Sequence, residues 1–221
     1  MDNNFYITIG REKGAGGTEI AKLLSSKFNI PLYDKQLLDL AAKESGLCKE
    51  LFEQIDERKG TKYFSSMQFG NFVSSFAECF TSSPIGRSEL FKIQSQTIET
   101  IAQKGSAIFI GRCADYVLRE NPNCLNVFIT ASKDDRLKRL YSVDKIKDFE
   151  NMSKDELYNW LEESDKRRSS YYNYFTYKQW GASSSYHLCL DSTFLGIEAC
   201  VEIISKIIKE NGFEDVLDIG T

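Results

Sequence analysis

The residues with the clearest chemistry run together near the N-terminus, in Gly10-Arg11-Glu12-Lys13-Gly14-Ala15-Gly16-Gly17-Thr18. A loop of small residues lets backbone N–H groups converge on an anion, because no side chain blocks the approach. A helix starting where the loop ends adds unpaired N–H donors and a partial positive charge. Gly14, Ala15, Gly16, Gly17 and Thr18 are therefore the expected phosphate cradle. The Thr18 hydroxyl stands where it would reach a phosphate-bound Mg²⁺. The competing reading is an ordinary strand-to-helix turn that happens to use glycine.

Against the P-loop pattern G-x-x-x-x-G-K-[ST], Gly16 and Thr18 fall into place. Arg11 stands at the first glycine and Gly17 at the lysine. That lysine reaches the outer phosphates, where charge gathers in the transition state. Lys13 and Arg11 lie in the same loop. Lys13, on the wall of the nest opposite Gly17, is the expected catalytic cation, and exposure to solvent is its alternative. Lys22, one turn into the helix, reads as a surface residue.

Phosphoryl transfer needs positive charge on both reacting phosphates and a site closed to water. Arginine suits this because its fork grips phosphate with two N–H groups. Arg112 ends the apolar run Ile108-Phe109-Ile110-Gly111 and would sit at a strand's carboxyl end, the ligand edge of an open α/β sheet. An ion pair with Asp115 or Glu120 is the alternative. Lys166, Arg167 and Arg168 form a basic run that either works on phosphate or pairs with Glu162 and Glu163 along a solvated helix. Tyr171, Tyr172, Tyr174, Phe175 and Tyr177 follow, and packing is favoured over base stacking for them. Arg136 and Arg139 read as a charged helix face, with a grip on the donor nucleotide as the alternative. The only histidine, His187, reads as a hydrogen-bonded core residue, which excludes chemistry built on paired histidines.

Short apolar runs alternating with helical periodicity must position these groups. Phe5–Ile9, Ser106–Arg112, Leu125–Ala131 and Tyr186–Leu190 read as strands, with Pro31-Leu32-Tyr33 as a shorter extended piece. Helices are expected over Thr18–Phe28, from Pro84 to about Lys104, over Ser132–Leu140, from the capping box Ser153-Lys154-Asp155-Glu156 toward Tyr172, and after a cap at Asp191 or Ser192. Asp34 is placed to cap a helix carrying Leu37, Leu38, Leu40 and Ala41. Phe69, Phe72, Phe76 and Phe80 share a helical face that reads as packing within a subdomain, with a homodimer left open. The alternation implies a parallel sheet covered on both faces.

The chain has 221 residues, 42% hydrophobic and 27% charged, as expected of a globular α/β protein. A formal net charge of −4 argues against a general nucleic-acid binder. No apolar run approaches a membrane span and the N-terminus shows no signal-peptide pattern, so a cytoplasmic protein without a membrane partner is expected. Cys48, Cys79, Cys113, Cys124, Cys189 and Cys200 form no CxxC pair and read as buried reduced thiols.

Taken together, the strand, the Arg-Glu-x-Gly-Ala-Gly-Gly loop, the helix and then Pro31-Leu32-Tyr33-Asp34-Lys35 resemble the cytidylate kinase-like family. The Gly111-Arg112 turn looks like that family's hold on the acceptor phosphate. Asp165-Lys166-Arg167-Arg168 looks like its lid motif, and Arg87 looks like its acceptor-site arginine. The resemblance spans nearly the whole chain. It implies an α/β P-loop three-layer fold in a single domain over residues 1–221. A helical insertion that binds the nucleoside monophosphate would lie at about 46–105, and a lid helix at about 153–178. It also implies transfer of a phosphoryl group from ATP, with Mg²⁺ held through Thr18, to a nucleoside monophosphate, CMP or dCMP favoured. Asp34, Arg87, Arg112, Asp165 and Arg168 would hold the acceptor. Lys13, Arg112 and Arg168 would act in catalysis. Two alternatives stand beside it: a nucleotide-binding protein without useful kinase activity, and a kinase for another small phosphorylated or hydroxylated acceptor.

Overall fold

The structure is a computed structural model that describes residues 4–34, 84–143 and 152–211. The expected helix after Asp34, the Phe69–Phe80 face, Cys48 and Cys79 lie outside these residues. The chain divides into two compact units: residues 1–32 with 105–221, and residues 33–104. The insertion expected at about 46–105 falls almost entirely in the second.

The first unit is built on a parallel sheet. β1 is Tyr6–Arg11, followed by α1, Gly17–Phe28, and the two-residue β2, Leu32–Tyr33. After the second unit come β3, Ala107–Ile110, and β4, Cys124–Thr130. β5, Leu188–Asp191, is the last strand. The strand order is β2-β3-β1-β4-β5. β1 pairs in parallel with β3 (Ile7 opposite Ile108) and with β4 (Ile9 opposite Val127), and β4 pairs with β5. β1 and β4 are buried along nearly their whole length, which is why they read as continuous apolar runs.

The main core lies between one face of the sheet and two helices. Ile7, Ile9, Ile108, Ile110, Val127 and Ile129 come from alternate strand positions. Ile20, Ala21, Leu24 and Phe28 meet them from α1, and Val201, Ile204 and Ile208 from the C-terminal helix Ile197–Glu210. Burying an Ile or Leu side chain contributes about 1.5–3 kcal/mol, so this layer fixes where β1 ends and α1 begins. A smaller cluster of Leu137, Leu140, Leu157 and Leu161 joins Lys133–Val143 to the long helix Lys154–Thr176. Ser153 and Glu156 close a capping box on that long helix, with the Ser153 N–H donating to Glu156 Oε2 at 2.7 Å.

In the second unit the described helix is Pro84–Ala102, with Leu90, Ile93, Gln94, Thr97, Ile98 and Ile101 buried along one face.

Several expectations are corrected. Asp191 caps only the short helix Ser192–Leu195, its carboxylate accepting from the Thr193 N–H at 2.8 Å; Gly196 precedes the C-terminal helix. His187 is exposed just before β5, where its Nδ1 accepts the Asn126 N–H at 3.2 Å. Cys189 is exposed too, because β5 is the sheet edge; Cys113, Cys124 and Cys200 are buried. Burial pushes the Cys124 thiol up to about 12, so it is not a ready nucleophile. Arg136 is not on a solvated face: its side chain is only 5% exposed.

Candidate active site

β1 lies between β3 and β4, and the connections diverge from it toward the two halves of the sheet. Ligands of open parallel sheets bind at the carboxyl ends of strands beside such a divergence. There the chain leaves β1 and turns through Glu12–Gly16 into α1. Gly14 and Gly16 have φ of 79° and 84°, in the left-handed region where other residues are strained. A β-carbon at Gly14 would fall 2.7 Å from the Arg136 carbonyl oxygen, and one at Gly16 would fall 2.3 Å from Ile197 Cδ1.

The Ala15 N–H donates back to the Glu12 carbonyl at 3.3 Å, and the Lys13 N–H to Asp165 Oδ1 at 2.8 Å. Among the described residues, no hydrogen bond reaches the N–H groups of Gly14, Gly16, Gly17 or Thr18, and no side chain caps α1. These donors open on a cavity of about 390 Å³. Its walls carry Arg11, Lys13, Lys22, Arg139 and Arg168 against Glu12 and Glu19. Thr18 is exposed at its edge. Open amides, a helix N-terminus and an excess of cations fit a polyphosphate.

Several braces hold the loop. Glu12 Oε2 accepts from Thr130 Oγ1 at 2.6 Å and from the Ala131 N–H at 3.1 Å, and lies 3.6 Å from Arg136 Nη1. The acid in this phosphate loop is thus committed to β4 and to a cation. Arg136 also donates to the Lys13 carbonyl at 2.7 Å and pairs with Asp165. Arg168, on the long helix Lys154–Thr176, donates to the Arg11 carbonyl at 3.1 Å. On the other side, both Arg139 Nη atoms reach Ser192 at 3.0 Å, and Ser192 Oγ donates to the Ala15 carbonyl at 2.8 Å. Burial lowers the Arg168 pKa; Asp165 opposes this, while Arg136, Arg112 and Arg167 add to it. Such crowded guanidinium groups are stabilised by an anion.

The structure gathers Lys13, Gly14, Ala15, Gly16, Gly17, Thr18 and Arg168 around one cavity; Asp165 does not line it and instead accepts the Lys13 N–H and pairs with Arg136. The Lys13 ammonium sits 5.4 Å above the Trp160 ring. Arg112 does not line the cavity. Its guanidinium lies 5.8 Å from the Tyr171 ring centre, after a turn in which Gly111, Arg112 and Cys113 are all left-handed, at φ 68°, 57° and 57°. Two such non-glycine residues cost about 1–3 kcal/mol each, a strain that functional turns carry. Asp115 and Glu120 have other partners: the Tyr172 hydroxyl donates to Asp115 at 2.7 Å, and Arg119 pairs with Glu120 at 3.4 Å. Asp34 follows β2, and Arg87 lies on Pro84–Ala102; both belong to the second unit, and the Arg87 side chain is outside the described residues. Sequence reasoning missed the bracing roles of Glu12, Arg136, Arg139 and Ser192. An acidic residue inside an anion-binding loop is the one local signal, since it must be neutralised.

The family model of the cytidylate kinase-like family matches residues 6–194. The chain is similar to a crystal structure of an uncharacterized protein from Eubacterium ventriosum ATCC 27560, at 28% identity and TM-score 0.66, covering 93% of this chain and 98% of that one. In fold it is also similar to TT1252 from Thermus thermophilus, at 12% identity and TM-score 0.56 over 95% and 98% of the two chains. Shikimate kinase from Bacteroides thetaiotaomicron aligns at 18% identity and TM-score 0.51 over 93% and 98%. No curated protein sequence matches the chain.

Proposed function

The chain belongs to the cytidylate kinase-like family, and from that premise we propose that it transfers the γ-phosphoryl group of ATP to a nucleoside monophosphate, with CMP or dCMP favoured. The observation that carries this reading is the set of open N–H groups of Gly14, Gly16, Gly17 and Thr18 on a cation-lined cavity. The loop amides would hold the ATP phosphates. The exposed Thr18 hydroxyl is the group that would hold Mg²⁺, which supplies charge neutralisation between the outer phosphates when bound. An acceptor phosphate oxygen attacks the γ-phosphorus as the bond to the β,γ-bridging oxygen breaks, leaving ADP and a nucleoside diphosphate. No covalent protein intermediate is needed, because positioning and charge do most of the work.

Arg168 and Lys13 stand at the donor cavity, and Arg112 is assigned to the acceptor phosphate. Asp165 acts through the loop and through Arg136. Free Cys113, Cys124, Cys189 and Cys200 suit a reducing, cytoplasmic setting. No described helix is long and apolar enough to cross a membrane.

One observation favours a second reading. Gly17 at the lysine position suits a nucleotide-binding protein with little turnover; a kinase for another small phosphorylated or hydroxylated acceptor is the third reading. A coupled ADP-release assay over nucleoside monophosphates and small metabolites, with MgATP binding followed separately, decides among them. Turnover with CMP supports the first reading. Tight MgATP binding with no turnover on any acceptor replaces it with the second.

A further inference from the structure

The loop lacks a lysine at Gly17 and carries an arginine where the P-loop pattern has its first glycine. In space these two departures concern one volume. A β-carbon at Gly17 would fall 2.7 Å from Arg11 Cβ and 3.0 Å from Arg11 Cγ. Carbon atoms in van der Waals contact sit about 3.5–4.0 Å apart. The base of the arginine and the base of any side chain at position 17 therefore exclude each other. The clash involves atoms next to the backbone, so rotating the side-chain end does not relieve it.

The far end of Arg11 is located as well. A β-carbon at Gly111 would fall 2.5 Å from Arg11 Nη1. The side chain thus runs from beneath the start of α1 across the end of β1 to the turn after β3. Arg11 also lines the 390 Å³ cavity. Its backbone is fixed as the last residue of β1, with its carbonyl taken by Arg168.

We propose that Arg11 replaces the missing P-loop lysine, delivering the phosphate-binding cation from the strand rather than from the helix. The exchange is paired: lysine at 17 needs glycine at 11, and arginine at 11 needs glycine at 17. Gly111 completes it by leaving room for the guanidinium. Lys13, whose ammonium rests over Trp160, is the weaker candidate for this charge. The proposal rests on the ATP-binding reading of the same site.

The test is a swap in the full chain. Arg11→Gly, Gly17→Lys and the double variant Arg11→Gly/Gly17→Lys are compared with Lys13→Met for MgATP affinity by calorimetry, with folding followed by circular dichroism. Each single variant is expected to lose tenfold or more in affinity, about 1.4 kcal/mol. The double variant is expected to regain most of it, and Lys13→Met to lose less affinity than Arg11→Met. If Arg11→Gly fails to fold, Arg11→Met keeps the bulk, removes the charge and must show the same loss. A double variant no better than the worse single one overturns the exchange, as does Arg11→Met binding MgATP like wild type. Wild type that binds no MgATP at all overturns the ATP reading itself, which is a separate result.

Discussion

The Asp165 carboxylate accepts the Lys13 N–H at 2.8 Å and so ties the middle of the long helix Lys154–Thr176 to the phosphate loop. The same carboxylate pairs with Arg136, whose guanidinium reaches back to the Lys13 carbonyl and toward Glu12. One backbone residue of the loop is therefore gripped at both its N–H and its C=O.

Removing Asp165 strips a buried arginine of its main partner. Breaking a buried pair costs about 3–5 kcal/mol, and Arg136 keeps Glu12 and the Lys13 carbonyl, which places Asp165→Ala near the lower figure. Urea unfolding should show that loss. Asp165→Asn, which still accepts the Lys13 N–H, should lose less. Equal stability of wild type and Asp165→Ala would show that the brace is not needed.

Arg112 and the loop can be separated kinetically. Its guanidinium rests by Tyr171 and does not line the 390 Å³ cavity. Arg112→Ala is expected to raise the KM for the acceptor by roughly tenfold or more, since a charged hydrogen bond contributes about 1.5–3 kcal/mol. MgATP affinity should stay within about threefold of wild type, well inside one such bond. A parallel loss of MgATP affinity sinks the acceptor role.

The strand-loop-helix unit was legible because it is local: an apolar strand, glycines whose φ of 79° and 84° other residues resist, and an amphipathic helix. The long helix was legible from its capping box. What stayed hidden was pairing across the chain. Arg136 reads as a surface cation because its neighbours Asp135 and Lys138 are charged, yet its partners Glu12 and Asp165 come from distant segments. His187 looked buried among apolar neighbours, but only the strand order shows that β5 is an edge. The collision between positions 11 and 17 depends on β-carbon positions that spacing alone does not give.

The Asp115 carboxyl offers a pH signature. Burial raises its pKa above the ordinary 3.8, while the Tyr172 hydroxyl and then Lys178 pull it down. The folded protein holds this proton more tightly than the unfolded chain does. The resulting stabilisation is complete below the ordinary value and is lost as pH rises through the raised folded value. Asp115→Asn has no such proton. Urea unfolding from pH 4 to 8 should show the variant gaining on wild type as pH rises and then levelling. A constant difference would mean that Asp115 titrates normally.

The last expectation concerns Ser192, which holds the loop from the side opposite Asp165. Its hydroxyl is buried and donates to the Ala15 carbonyl at 2.8 Å, while Arg139 Nη1 donates to it at 3.0 Å. Ser192→Ala removes both contacts, and the hydroxyl's longer one to the Thr130 carbonyl at 3.2 Å, but leaves Arg139 its bond to the Ser192 carbonyl at 3.0 Å. The Ala15 carbonyl then loses its hydroxyl partner in a dry place. A lost buried hydrogen bond costs about 1–3 kcal/mol, so unfolding stability should fall within that range. Arg139 also lines the 390 Å³ cavity, and its guanidinium carbon lies 3.9 Å from where a β-carbon on Gly16 would be. Freed from the hydroxyl, it is less well placed beside the loop, and MgATP affinity should fall severalfold along with stability. Ser192→Thr keeps a hydroxyl and separates the two effects. If it restores stability but not MgATP affinity, the hydroxyl braces the loop without setting Arg139. If neither variant changes MgATP affinity, Arg139 does not serve the bound nucleotide.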